Sequence, residues 1–382
     1  MGNSWPSCTR PACKPNSCCG GQHPDNVEVQ STPTVPRKRW KPKHRTSITT
    51  LPVELLLDFG FDPFEREPND MCNLYLQMLQ YLGIQSDYGL ESWTIRGFAN
   101  EVGTRYLPNP YHNYYHGFSV TQFLFAMFFK SNCLYQLMSK SDILALFVAM
   151  LVHDIDHPGN NNAFEIATKS SISVRYSELS PLENHHAAIG LQIMENSDRD
   201  MFGTLPAHTL KEVRETYTHA ILQTDMKQHF AMVDQLKAVK TRSPEYFNQE
   251  VMQDRRDLVG FLSHSVDIGN PLLPCFELSR TWAVRISQEF WNQYEKEIES
   301  GLPPTQMWAD INTPTGFLRS QLGFINFIVA PLWCGVLDVL PEFDVASDLR
   351  KHLKDNTEVW NKLLEEEELK QQTEKGQAAA ES

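Results

Sequence analysis

Apolar residues recur at helical spacing through most of the chain. From about Asn69 onward, Met71, Leu74, Tyr75, Met78, Leu79 and Leu82 fall at the i, i+3, i+4, i+7 positions of one helix face. The pattern returns over 116–138, 142–152, 181–197, 206–240, 249–266, 276–300 and 315–340. Neither a useful run of period-2 alternation nor a fixed-length repeat is visible, so the pattern predicts an all-α fold. The run from Leu322 to Leu340 is long enough to cross a bilayer. Asn326, Pro331 and Asp338 interrupt it, and a proline inside a helix removes a hydrogen bond and kinks or breaks it. Two buried core helices separated at Pro331 are therefore expected.

Residues 1–50 are rich in Pro, Ser and Thr and poor in aliphatics; they bury too little surface to offset chain entropy and are expected to be disordered. A folded domain is expected over 51–365, followed by a charged tail over 366–382 that frays from a helix at Glu365 to Glu368. The net charge of −13 over 382 residues argues against a general nucleic-acid binder, which needs a basic face. It leaves room for a small anionic substrate, because bound cations reverse the local field.

Four of the eight cysteines, Cys8, Cys13, Cys18 and Cys19, crowd the N-terminus, and a basic run from Arg37 to Arg45 follows. Cys72, Cys133, Cys275 and Cys334 stand in apolar stretches and are expected to be buried free thiols of a reducing, cytoplasmic compartment. Residues after Met1 are polar and Pro-rich, unlike a signal peptide. Gly2 follows Met1, but Pro6 stands where a myristoylation signal needs Ser or Thr. Acylated cysteines with the basic run would supply the two signals that a stable membrane tether requires.

Histidine and aspartate dominate the candidate chemistry. Tyr111-His112-Asn113-Tyr114-Tyr115-His116 places two histidines four apart, so one helical turn would put both rings on one face. His153-Asp154-Ile155-Asp156-His157-Pro158-Gly159 closes the apolar run Ile143 to Val152. Leu182-Glu183-Asn184-His185-His186, Thr224-Asp225-Met226 and His264-Ser265-Val266-Asp267 follow. Each motif alone reads as a surface pair or a buried structural histidine. Together they crowd ionisable groups against apolar helices, which is costly unless a cation binds them. Imidazole with carboxylate suits zinc and harder divalent ions, and the scarcity of sulfur points to a hydrolytic centre rather than a zinc finger. Two such cations could share a bridging hydroxide, with a spare imidazole to protonate a leaving alkoxide.

These motifs, in this order, resemble those of class I cyclic-nucleotide phosphodiesterases over roughly residues 70–365. HNxxH, HDxDHPGxxN, LENHH, TDM, DxxN and QxGFI all stand in register. His116 to Val120, Val174 to Tyr176 and Leu179 to His186 look most like the type-nine, cGMP-specific subfamily. The resemblance implies a compact multi-helix bundle of the His-Asp phosphohydrolase type with a deep two-metal pocket, making 51–365 a catalytic domain. It implies a tight Zn2+ held by His116, His153, Asp154 and Asp267, with Asp154 bridging to Mg2+ or Mn2+. His112 would be the general acid and Glu289 would orient it. His157, Glu183, His186 and Thr224 would hold waters around the ions. Gln321 would bond the purine, Phe324 and Ile286 would clamp it, and Asn270 would stand near its edge. The implied partner is a cyclic nucleotide, and a homodimer is compatible with the family.

Two departures bear on the substrate. Pro271 replaces an acidic residue of the type-nine subfamily, and Ser279 stands where cAMP-specific enzymes often carry a tyrosine that pins the glutamine. A less constrained Gln321 suits cGMP and leaves room for cAMP. Two other readings compete: a dNTP-directed hydrolase of the wider His-Asp superfamily, and a non-enzymatic scaffold. The first is not expected to carry the Gln321-to-Phe324 segment, and the second would be expected to lose a ligand.

Overall fold

The computed structural model describes residues 50–340 and 345–381, and all its elements among them are helical. The expectations for the N-terminal cysteines, the basic run and the disordered segment fall almost wholly outside the described residues. We label the principal helices α1 (Pro68–Tyr81), α2 (Ser92–Arg105), α3 (Tyr114–Lys130), α4 (Lys140–Val152), α5 (Pro181–Met194), α6 (Ala207–Leu222), α7 (His229–Lys240), α8 (Met252–Asp267), α9 (Phe276–Glu299), α10 (Pro314–Val339) and α11 (Ala346–Glu381).

Helix α4 is the axis of the core. Every residue from Asp142 to Val152 is buried, the mark of a helix apolar on all sides. It starts in a capping box, in which Ser139 and Asp142 satisfy each other's backbone N–H. Asp142 also accepts from Arg255 Nε at 2.9 Å and Thr216 Oγ1 at 3.2 Å, tying α8 and α6 to the same point. Helices α3, α5, α6 and α8 pack around α4. The far end of α4 thereby delivers His153 and Asp154 to the middle of the molecule.

Where apolar spacing runs unbroken, side-chain caps decide the breaks. The pattern over 116–138 divides at Ser131, whose backbone is extended. The pattern over 206–240 divides after Leu222, because Asp225 accepts the Lys227 N–H at 2.9 Å and starts a short 3-10 turn.

Two expectations are corrected at the C-terminal end. Pro331 does not separate a pair of helices. Helix α10 runs from Pro314 to Val339, and a π turn over Ile325–Val329 lets Ala330 N–H reach Ile325 O, easing the ladder ahead of the proline. It is long and apolar enough to span a bilayer, yet only one side is buried: Val329, Leu332 and Trp333 lie in the core, while Phe327 is 73% exposed. The tail does not fray at Glu365 either, because α11 continues to Glu381. Its later turns are braced on α10 by Arg319 to Glu368 at 2.7 Å and Gln371 to Thr315 at 2.5 Å. Cys72 and Cys133 are buried thiols, but Cys275 and Cys334 are exposed. Cys275 caps the start of α9, and Cys334 lies on the outer side of α10.

Candidate metal centre

Four predicted ligands from three helices meet at one point. His116 comes from the first turn of α3, His153 and Asp154 from the end of α4, and Asp267 from the last residue of α8. Asp267 Oδ1 lies 3.0 Å from both His116 Nε2 and His153 Nε2. The two Nε2 atoms are 3.2 Å apart, and Asp154 Oδ2 is 3.3 and 3.1 Å from them. Donors about 2.0–2.1 Å from one cation are separated by such edges. His153 Nδ1 donates to Met150 O at 2.8 Å, which turns the Nε2 edge of the ring toward the cluster.

The electrostatics ask for positive charge there. Burial raises the Asp154 carboxyl, but the His153 and His112 imidazoles overcome it and hold it well below the usual range. Asp267 is likewise lowered: burial raises it, but the His153 charge and the hydrogen bonds to His116 and His153 together outweigh that. Burial lowers His153, and the two carboxylates more than reverse that. Such a group of buried anions and lone pairs is what a divalent cation satisfies.

A second sign stands beside it. His186 Nδ1 donates to Ile155 O at 2.6 Å, leaving Nε2 as an acceptor that is buried without a partner and 3.8 Å from Asp154 Oδ1. Two facing acceptors need a donor between them, such as a cation-held water. Burial lowers the His186 pKa to about 4, which keeps that acceptor open. The residues therefore fit a metal centre.

His112 is not on the helix with His116, contrary to the expectation from their spacing. Asn113 is the N-cap of α3, accepting the Tyr115 N–H at 2.9 Å, and His112 precedes it in the loop. The two rings are 5.9 Å apart at 86°. This separation frees His112 for another role. Its Nδ1 bonds Glu289 Oε1, while Glu289 Oε2 accepts from the Tyr111 and His112 N–H groups at 3.0 and 3.2 Å. Burial lowers the His112 pKa, and Glu289 and Asp154 more than offset it, bringing it up to about 9. The same pairing overcomes burial at Glu289 and brings it down to about 2. His112 Nε2 then faces Asp154 Oδ2 at 4.0 Å.

The other predicted residues divide. His157 stacks on His112 with ring centroids 4.0 Å apart. Glu183 accepts from Asn162 Nδ2 at 3.1 and 3.0 Å, and burial with Asp225 raises its pKa to about 7. Thr224 is buried but donates its hydroxyl to Ile221 O at 2.8 Å, a helix-end bond. Gln321 donates to Ser287 Oγ at 3.3 Å, joining α10 to α9 beside Ile286. Phe324 follows Gln321 by one turn, and both it and Ile286 are half-buried against the core. Asn270 donates to the Tyr111 hydroxyl at 2.9 Å.

Sequence reasoning missed Ser287, Asn109 and Arg285. Ser287 holds the Gln321 amide, which was expected to be less constrained with Ser279 in place of a tyrosine. Arg285 donates to Pro110 O at 3.1 Å, so Arg285 and Glu289, one turn apart on α9, grip the His112 loop together. In sequence an Arg and a Glu four apart read as a surface ion pair.

This convergence of histidines and aspartates at helix ends defines the all-helical His-Asp phosphohydrolase type of fold. The chain belongs to the 3′5′-cyclic nucleotide phosphodiesterase family, whose pattern matches residues 111–349. It is similar to the high affinity cGMP-specific 3′,5′-cyclic phosphodiesterase 9A of Mus musculus, with 32% identity over 85% of this chain and 59% of that protein. It is also similar to the 3′,5′-cyclic-nucleotide phosphodiesterase regA of Dictyostelium discoideum, with 30% identity over 84% of this chain and 40% of that protein. The chain thus spans about half the length of these relatives. The phosphodiesterase domain of the Salpingoeca rosetta RhoPDE fusion protein superposes with a TM-score of 0.78 at 26% identity, covering 82% of this chain and 97% of that one.

Proposed function

We propose that the chain hydrolyses a 3′,5′-cyclic nucleotide, cGMP in preference and cAMP as well, to the 5′-monophosphate. The observation that carries this reading is the juxtaposition of the four-donor cluster with a carboxylate-backed His112 whose Nε2 points toward Asp154. The His2Asp2 donor set suits Zn2+, and Asp154, whose second oxygen faces His186, suits sharing with Mg2+ or Mn2+. Cations held there supply Lewis acidity toward the phosphoryl oxygens and acidify an attacking water.

The chain's own residues do the rest. His186 and Glu183 orient water around the carboxylates. Gln321 presents its amide to the purine, between the apolar faces of Phe324 and Ile286. As water attacks phosphorus in line, the bond from phosphorus to O3′ breaks. His112 gives its Nε2 proton to O3′ and is left neutral, while Glu289, bonded to Nδ1, orients the ring and favours its protonated form before the transfer. The preference for cGMP rests on the likeness to the cGMP-specific relative.

The test is hydrolysis of cGMP and cAMP side by side, with and without chelator. Expected are 5′-GMP and 5′-AMP, a higher kcat/KM for cGMP, and loss of both activities on chelation. A kcat/KM for cAMP more than about tenfold above that for cGMP would overturn the preference.

A further inference from the structure

Asn109 joins two segments of the site. Its Nδ2 donates to His112 O at 3.0 Å and to His157 O at 2.6 Å. Both partners are carbonyl oxygens, so only the NH2 end of the amide can face them. One bond reaches the loop ahead of α3, and the other reaches the turn beyond α4. The rings of those two histidines lie 4.0 Å apart and 19° from parallel.

The slot around Asn109 is built on both sides. Gly159 has φ +80°, and a Cβ there would lie 3.1 Å from Asn109 Oδ1. Gly159 N–H donates to His157 Nδ1 at 3.0 Å, fixing the ring that His112 stacks on. Asn113 Nδ2 donates back to Asn109 O at 2.9 Å, so the N-cap of α3 holds the main chain that carries the amide.

We propose that Asn109 is a positioning residue for proton donation: it locks the His112 loop to the His157 turn and so sets the height and tilt of the stacked His112 ring. Glu289 fixes one edge of that ring from α9. Asn109 fixes its distance from the end of α4, where the substrate phosphate is to sit. The inference rests on the reading of His112 as the donor to O3′.

The test uses the full chain supplied with Zn2+ and Mg2+, as Asn109→Ala and as Asn109→Ser, which keeps one donor. For cGMP, Asn109→Ala is expected to lower kcat roughly 10- to 100-fold with KM within about threefold, as for a misplaced acid. Asn109→Ser is expected to fall between Asn109→Ala and the unchanged chain. Bis(p-nitrophenyl) phosphate releases a phenolate that needs no proton, so its turnover should stay within about threefold. In a His112→Ala background, Asn109→Ala should cost less than about twofold more. Equal losses on both substrates, or full additivity with His112→Ala, would overturn the proposal. Intact cGMP turnover in His112→Ala would overturn the donor reading and this inference with it. Loss in His112→Ala but not in Asn109→Ala would overturn this inference alone. Unfolding of both Asn109 variants, seen by circular dichroism, would also overturn it, because the residue would then serve the fold.

Discussion

Glu289 meets His112 twice, once through ring Nδ1 and once through the backbone N–H at 3.2 Å. One carboxylate thereby fixes both the ring and the loop that carries it. Burial alone would lower the His112 pKa; with Glu289 and Asp154 opposing it, the pKa rises to about 9. Glu289→Gln removes the charge and keeps the shape. The protonated imidazole is the form that donates, and it is lost as pH rises through its pKa. A lowered pKa therefore moves the alkaline limb of kcat to lower pH. The measurement is kcat against pH for both forms, and an unmoved alkaline limb would contradict this assignment.

His112→Ala should lower kcat by roughly 10²–10⁴, the usual cost of losing a general acid. Metal content should stay at the unchanged level, because the ring lies outside the four-donor cluster. Metal analysis beside steady-state kinetics checks both halves. Metal falling in step with activity would make His112 a ligand.

Asp154→Ala should abolish turnover and release metal while far-UV circular dichroism stays helical. The buried length of α4 ends at Val152, and its cap lies at the other end, at Ser139. Loss of helicity would instead mean that the carboxylate holds the fold.

His186→Ala removes the unpaired acceptor that faces Asp154. Loss of such an outer partner typically costs about 10- to 100-fold in metal affinity or activity. A metal titration should resolve one weakened site and one unchanged. Two unchanged sites with normal kcat would refute the role.

Gly117→Ala probes the packing behind the centre. A Cβ there would lie 2.5 Å from the Tyr106 hydroxyl and 3.0 Å from Leu151 O. That hydroxyl donates to Leu151 O at 3.1 Å and accepts the Asp154 N–H at 3.4 Å. The added methyl should cost about 1–3 kcal/mol and lower kcat as well. Thermal unfolding and kinetics would show the two losses together, and an unchanged Tm would refute the crowding.

What could be read from the chain followed from locality. The helices declared themselves through apolar spacing, and His153 with Asp154 through their place after an apolar run. The four ligands came from resemblance as well as residue type, and the structure brings them together. What stayed hidden depends on partners distant in sequence. Arg285 gains meaning only when Pro110, 175 residues away, is placed against it. Ser287 gains it only from Gln321, on another helix. His112 and His116 misled because an i, i+4 spacing assumes a helix, and with Asn113 as its cap that helix starts at Tyr114, two residues after His112. At Pro331 the expected break was avoided by one wide turn, a local option that composition does not signal.

Arg285, Ile286, Ser287 and Glu289 fall within five consecutive positions of α9 and serve three different tasks. On the function proposed above, the helix would be a common chassis for the purine end and the leaving-group end of the substrate. If α9 were to slide or tilt, both ends would move with it, so the span between base and O3′ would stay calibrated. Selectivity for the base is then free to drift through side chains on α10 without detuning the proton donor, whereas a change that reshapes α9 itself must alter recognition and turnover together.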